Sequence, residues 1–369
     1  MDTAWYEVRN AGEVPSPALL VYPERIERNL AAMIRIAGNP SRLRPHIKTH
    51  KLPELVRRQV ELGITKVKCA TIAEAEMAAL AGADDVLLAC QPVGPNTDRL
   101  VELAVRHPGT RISTVLDNAN SATALSNAAV RASIRLGAWM DLDVGQHRTG
   151  IAPDASAETL YRLLATLPGL EIRGLHAYDG HLHDPDPAIR KLSCDAAFAP
   201  VAALRNRLEA AGLPVPAVVA GGTPTFPMHA LRDGVELSPG TCVLWDAGYA
   251  RKLPDLVFEP AAVLLTRVVS KPTPQRVCLD LGHKAVASEM PQPRVVFLNL
   301  PGATPVAHNE EHLVVEGIDG DALSVGDCVY AVPWHVCPTV ALHQEVWVVQ
   351  DGVASARWTV TARARRIEI

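Results

Sequence analysis

The chain predicts a (β/α)8 TIM-type barrel with a second, C-terminal antiparallel β-domain, and three observations carry that expectation. Eight short apolar runs alternate with helical stretches up to about residue 245; β-branched runs broken by proline and glycine follow; and polar or glycine-rich motifs close nearly every run of the first part.

The eight runs are residues 43–48, 67–72, 86–90, 112–116, 138–144, 172–178, 217–220 and 235–237. Between them, stretches such as 72–81, 119–132, 157–166 and 197–211 place apolar residues at helical spacing. A doubly wound sheet is the runner-up, but eight units in roughly 230 residues fit a barrel better. The later runs are 262–269, 276–281, 294–298, 311–316, 328–333, 345–350 and 357–366, and residues 6–16 are expected to add a strand to them. The expected division is therefore a barrel over residues 18–245 and a β-domain made of 1–17 and 246–369.

With 48% hydrophobic and 21% charged residues, the 369-residue chain has ample material for a folded core. A formal charge of −4, with no basic stripe carrying interleaved aromatics, argues against nucleic acid and membrane surfaces as partners. No signal-peptide pattern opens the chain and no apolar run reaches membrane-spanning length, so the expected location is cytoplasmic. The seven cysteines are scattered and mostly sit inside apolar segments, as small core residues do; Cys337 is the exception.

Barrel chemistry sits where strands hand over to helices. Lys48 ends the first run inside Arg44-Pro45-His46-Ile47-Lys48-Thr49-His50-Lys51, a stretch with five basic side chains. Alone, such a stretch is a solvated loop. At a strand end, an amine among the cations His46, His50 and Lys51 can stay partly unprotonated and condense with a carbonyl. Gln91, Asp117-Asn118, residues 143–148, residues 176–181, Gly221-Gly222-Thr223 and Ser238-Pro239-Gly240-Thr241 follow later runs, all at the same end. Scattered surface residues would occupy both ends. Gly221-Gly222-Thr223 and Gly240-Thr241 lie after the last two runs, where barrels bind phosphate through backbone N–H groups and hydroxyls. With a lysine on the first run they point to a phosphorylated carbonyl cofactor, pyridoxal phosphate. Arg148, after the fifth run, is either a surface salt-bridge residue or, pointing into the barrel mouth, a partner for the pyridine nitrogen. In the later part, His335 and Cys337 stand two apart, which in an extended segment projects both to one side, a pair that suits zinc with positions left open for water and a hydroxyl, although taken alone a core cysteine beside a surface histidine is the better reading.

The segments 44–51, 116–119, 143–150, 176–178, 221–223, 236–241 and 332–339, in that order and covering nearly the whole chain, resemble the D-threonine aldolase and D-serine dehydratase group of fold-type III pyridoxal-phosphate enzymes, whose barrel is similar to that of bacterial alanine racemase. The resemblance implies that Lys48 is the Schiff-base lysine, Arg148 faces the pyridine nitrogen and Tyr178 packs near the cofactor. Gly222, Thr223, Gly240 and Thr241 would cradle the phosphate, and His335 and Cys337 would hold a divalent metal, zinc or manganese. It further implies a homodimer. The expected activity is that of a metal-assisted lyase acting on small D-configured 3-hydroxy amino acids, of the D-threonine aldolase type, with Lys48, His181 and Tyr178 as catalytic residues. Three departures stand out: Cys337 where the aldolases resemble His-x-Asp, Cys242 where an aromatic residue often follows the phosphate loop, and a histidine-rich stretch at 179–184. Cys337 is the dehydratase pattern, so release of ammonia from D-serine or 3-hydroxy-D-aspartate is the alternative. An amino-acid racemase and a non-catalytic cofactor carrier are the further readings.

Overall fold

The computed structural model describes residues 4–319 and 322–369, so Met1, Asp2 and Thr3 of the expected β-domain lie outside the described residues. Two compact units emerge: one holds the chain through Ala32, Thr49–Lys51 and Thr241–Arg363, and the other holds Met33–Lys48, Leu52–Gly240 and Ala364–Ile369. Strand β1 (Ala18–Val21) belongs to the first unit. The second contains β2 (Lys66–Cys69), β3 (Asp85–Leu88), β4 (Arg111–Leu116), β5 (Leu136–Asp141), β6 (Leu170–Ala177), β7 (Ala217–Ala220) and β8 (Val235–Leu237). The first unit resumes with β9 (Ala262–Thr273), β10 (Arg276–Leu279), β11 (Val295–Phe297), β12 (Thr304–His308), β13 (Leu313–Glu316), β14 (Cys328–Pro333), β15 (Glu345–Gln350) and β16 (Val353–Thr359).

In the second unit β2 to β8 run parallel in sequence order. The expected first strand is present as a bridging segment. Arg44 and His46 donate their N–H groups to Leu237 and Pro239, while the Pro45 carbonyl accepts from Lys68 on β2. Leu43 and His46 thus bridge β8 and β2 in parallel, occupying the place of an eighth strand. Pro45 has no N–H to give, and residues 47–49 turn as a 3-10 helix, so no continuous ladder forms.

Leu87, Val115, Trp139 and Val219, from β3, β4, β5 and β7, make a core cluster of this unit, and the Trp139 indole N–H is satisfied by Ser113 Oγ at 3.1 Å. Arg44, first of the five basic residues, is fully buried and donates to Asp85 and Glu236, each at 2.6 Å. Lys66, Arg111 and Arg173 pair with the same two carboxylates. Lys66 and Asp85 open β2 and β3, so this ion network sits toward the strand N-termini, where a barrel carries stability.

The first unit is a nine-stranded sheet ordered β12-β13-β10-β9-β1-β15-β16, with β14 also pairing β9 and β11. Among the described strands of this sheet, only β1 with β15 is parallel. Val8, Leu20, Tyr22, Val263, Leu265 and Tyr330 are among its core. Three details differ from the sequence reading. The N-terminal strand is β1, not residues 6–16, and it pairs with β9 and β15 although residue 18 was expected to open the barrel. A four-residue apolar run is too short for its period to separate strand from helix start. Strand β12 was not foreseen. The last strand is β16, not residues 357–366, because Asp351 and Gly352 both take positive φ and make the two-residue turn that starts it at Val353. Among the described residues no helix is long and apolar enough to cross a membrane.

Candidate active site

In the second unit a cavity of about 260 Å³ opens at the C-terminal ends of β2, β5 and β6. Lys48, Lys68, Asp141, Arg148, His176 and Tyr178 line it, together with His46 and Thr149. Lys48, Arg148 and Tyr178 were expected from the sequence, and residues 130 positions apart now share one space. Another cavity of about 280 Å³ lies at the opposite end of the strands, where Arg111, Arg173, Asp85 and Glu171 are paired with one another. Its charges are committed to structure.

Lys68 and Asp141 were missed in the sequence. His176 Nδ1 lies 2.7 Å from Asp141 Oδ1. Burial works to raise Asp141, but hydrogen bonds from His176 and Thr149, with nearby Lys68, outweigh it and hold the carboxyl below its usual range. A carboxylate only accepts, so Nδ1 carries the proton and Nε2 is left as an acceptor. Burial lowers His176, keeping the ring neutral. Nε2 faces Lys68 Nζ at 3.5 Å. Lys68 is 2% exposed; burial first, and then the charge of Lys48, pull its ammonium down to about 7. Lys68 and Arg148 lie 5.1 and 5.3 Å from the Tyr178 ring centroid. The missed signal was a second lysine inside the short strand Lys66–Cys69, flanked by the buried Val67 and Cys69.

The other expected residues of this unit fall into two groups. A Cβ on Gly222 would come 3.1 Å from the Tyr178 ring, so any larger residue would press the turn after β7 into that ring. Gly240 N–H donates to Thr223 Oγ1 at 3.1 Å, joining the turns after β7 and β8. His181 is not among the residues lining the cavity. It packs at Gly145, where a Cβ would meet its Nε2 at 3.1 Å, and its Nδ1 is buried without a hydrogen-bond partner.

A second group of chemistry-bearing residues lies behind the turn after β7. Asp179 accepts from His229 Nε2 at 2.8 Å and from Thr225 Oγ1 at 2.7 Å, and Thr225 Oγ1 accepts from Gly222 N–H at 3.1 Å. Cys194 Sγ is 3.4 Å from the same imidazole. Asp179, Cys194 and His229 bring three ligand-type atoms within 4.8 Å of one another. In the metal-free fold the same atoms are engaged in hydrogen bonds. Arg232 points an N–H at His229 Nδ1 from 3.0 Å, so the ring proton sits on Nε2, the atom a metal would need. Burial and Asp179 push the Cys194 thiol up to about 11. The cluster is a hydrogen-bond hub that fixes the glycine turn, where Gly221 has φ of +81° and no room for a Cβ beside His229.

In the first unit, Cys337 Sγ donates to Thr49 Oγ1 at 3.3 Å and lies 3.6 Å from Thr241 Oγ1. His335 is the N-cap of the helix Val336–Leu342, so the segment expected to be extended turns helical just before Cys337. The two side chains still meet. Burial lowers His335, but its hydrogen bond and charge interaction with Cys337, then those with Glu289 and Asp246, outweigh it and push the imidazole up to about 9. Asp246 accepts N–H groups from Val336 at 3.1 Å and Tyr249 at 2.9 Å, tying two helix starts together; burial nevertheless raises its carboxyl to about 6. A thiol and an imidazole side by side are a donor set that fits zinc.

Residues 21–246 match the alanine racemase N-terminal domain family, and residues 261–349 match the putative serine dehydratase domain. A D-threonine aldolase of an Arthrobacter species is 34% identical over 95% of this chain and 93% of its own length. A 3-hydroxy-D-aspartate aldolase of Paracoccus denitrificans (strain Pd 1222) is 31% identical over 96% of this chain and 93% of its own. The crystal structure of D-threonine aldolase from Filomicrobium marinum superposes with a TM-score of 0.89 at 30% identity, covering 98% of both chains. The chain belongs to the alanine racemase N-terminal domain family, in the group that carries a serine dehydratase domain after it and includes D-threonine aldolase.

Proposed function

We propose that the chain is a metal-assisted, pyridoxal-phosphate-dependent lyase that splits D-configured 3-hydroxy amino acids into glycine and an aldehyde, as a D-threonine aldolase does. The observation that carries this reading is the cavity that joins Lys48, Arg148 and Tyr178 at the C-terminal ends of the parallel strands.

The residues fit the cofactor. The Gly222 turn has space against Tyr178 that any Cβ would fill, and Lys48, Lys68 and Arg148 bring three cationic side chains to the cavity wall. Lys48 would hold the carbonyl end, Arg148 the ring nitrogen, and Gly222, Thr223, Gly240 and Thr241 the phosphate. When bound, pyridoxal phosphate supplies a carbonyl to take the substrate amine and a conjugated ring to accept the electrons of the broken bond. His335 and Cys337 would hold the divalent ion, zinc or manganese, which supplies Lewis acidity toward a hydroxyl. The chain's own work is positional and protonic. Tyr178 covers one wall and fixes Arg148 by cation–π contact. His181 is the candidate base for the β-hydroxyl proton, although it stands outside the cavity lining and would have to turn toward it; the Cα–Cβ bond opens to an aldehyde, and the α-carbon gains a proton to give glycine. The reading includes a cytoplasmic homodimer.

A dehydratase is the second reading, favoured by Cys337 and by the match of residues 261–349 to the putative serine dehydratase domain. Lys48 would then remove the α-proton and the hydroxyl would leave, giving a keto acid and ammonia. Product analysis with D-threonine, D-serine and 3-hydroxy-D-aspartate, with and without a chelator, separates the two. Glycine and acetaldehyde from D-threonine, lost on chelation, are expected. Ammonia and 2-oxobutanoate without glycine would establish the dehydratase, and interconversion of enantiomers alone would overturn both.

A further inference from the structure

Glu289 lies in the stretch between β10 and β11, 46 positions before His335, and no motif draws attention to it. Its Oε1 is 2.5 Å from His335 Nδ1. The contact is built on both sides. Thr339, on the helix that His335 caps, donates its hydroxyl to the His335 carbonyl at 2.8 Å and accepts the Ala287 N–H at 3.1 Å. His343, just past that helix, contacts the Ala285 carbonyl through Nε2 at 2.7 Å. Residues 285–289 are thereby laced to the helix at two points, with Val286 fully buried between them.

The consequence lies in the tautomer. A carboxylate has no proton to give, so the nitrogen facing Glu289, Nδ1, carries a proton, and Nε2 is the nitrogen a metal would take on losing any proton of its own. Cys337, the other donor, interacts with the same imidazole. Histidine ligands depend on such partners, since a carboxylate on the far nitrogen fixes ring orientation and strengthens the ligating one.

We infer that Glu289 is the positioning residue of the metal pair: it fixes His335 as an Nε2 donor and turns it toward the ion held with Cys337. The inference rests on the metal half of the proposed function. It is tested by zinc affinity, not turnover, using full-length cofactor-loaded protein and competition against a chelating dye at fixed pH. Glu289→Ala should weaken zinc binding about 10- to 100-fold, the loss expected when a histidine ligand loses its outer partner. Glu289→Gln, whose amide oxygen still accepts from Nδ1–H, should stay within a few-fold of the parent. Equal loss in both variants, matching His335→Ala, would make Glu289 a ligand in its own right and overturn the inference. Parent-like affinity in Glu289→Ala, with binding abolished in His335→Ala, would overturn it while leaving the metal reading intact. Parent-like affinity in His335→Ala would remove the metal reading itself. Circular dichroism of each variant guards against a folding loss read as a binding one.

Discussion

Two buried Asp–His pairs sit in the second unit, with nearly the same separation and opposite tautomers. In Asp141–His176 the proton is on Nδ1, and Nε2 is left facing Lys68 in the cavity. In Asp179–His229 the proton is on Nε2, and Arg232 occupies Nδ1. The first pair is open and the second closed. An imidazole with one nitrogen available toward a cavity can orient and exchange protons, whereas one with both nitrogens committed can only brace. Residue type and burial are shared, so what separates chemistry from scaffolding is the group on the far nitrogen.

Breaking the closed pair should cost the fold most. Asp179→Ala strands the His229 N–H and the Thr225 hydroxyl and releases the Gly222 turn, for about 3–5 kcal/mol in denaturant unfolding, as when one partner of a buried pair is removed. Asp141→Asn keeps an acceptor for Nδ1 and should cost about 1–3 kcal/mol. Equal losses would mean that both pairs brace.

The open pair should show itself in pH dependence through Lys68. Its folded value, about 7, lies below the ordinary lysine value of about 10.4, so between them the unfolded chain binds a proton that the folded chain has released. Stability therefore rises with pH across that window. The penalty is full below about pH 7 and fades as pH approaches the unfolded value. Lys68→Met should flatten this rise by up to about 1.4 kcal/mol per pH unit in unfolding measured from pH 7.5 to 9.5. Identical slopes in parent and variant would show that Lys68 is charged and paired in the fold.

Periodicity was enough to read the alternating plan, because parallel strands covered on both faces are continuous apolar runs bounded by turn residues. It was not enough for the segment 43–46, where Pro45 interrupts a ladder that backbone bonds on both sides otherwise make. Of the site, the residues that stand next to glycines or in charged motifs were legible: Lys48, Arg148, Tyr178 and the turns after β7 and β8. Lys68, Asp141 and Glu289 were not. Lys68 reads as an outward residue of a short strand until the barrel closes around it, and Glu289 acquires meaning only when Thr339 and His343 lace its segment to the helix after His335.

The two lysines of the cavity bear most directly on the proposed chemistry. Lys48 sits in the motif and Lys68 is the more deeply buried amine, so the assignment can fail in one specific way. Borohydride reduction of the cofactor-loaded enzyme, followed by proteolysis and mass spectrometry, reads which lysine carries pyridoxal phosphate. A pyridoxyl group on Lys48, with Lys68 unmodified and the label lost in Lys48→Ala, is the expected result; a label on Lys68 would contradict the account.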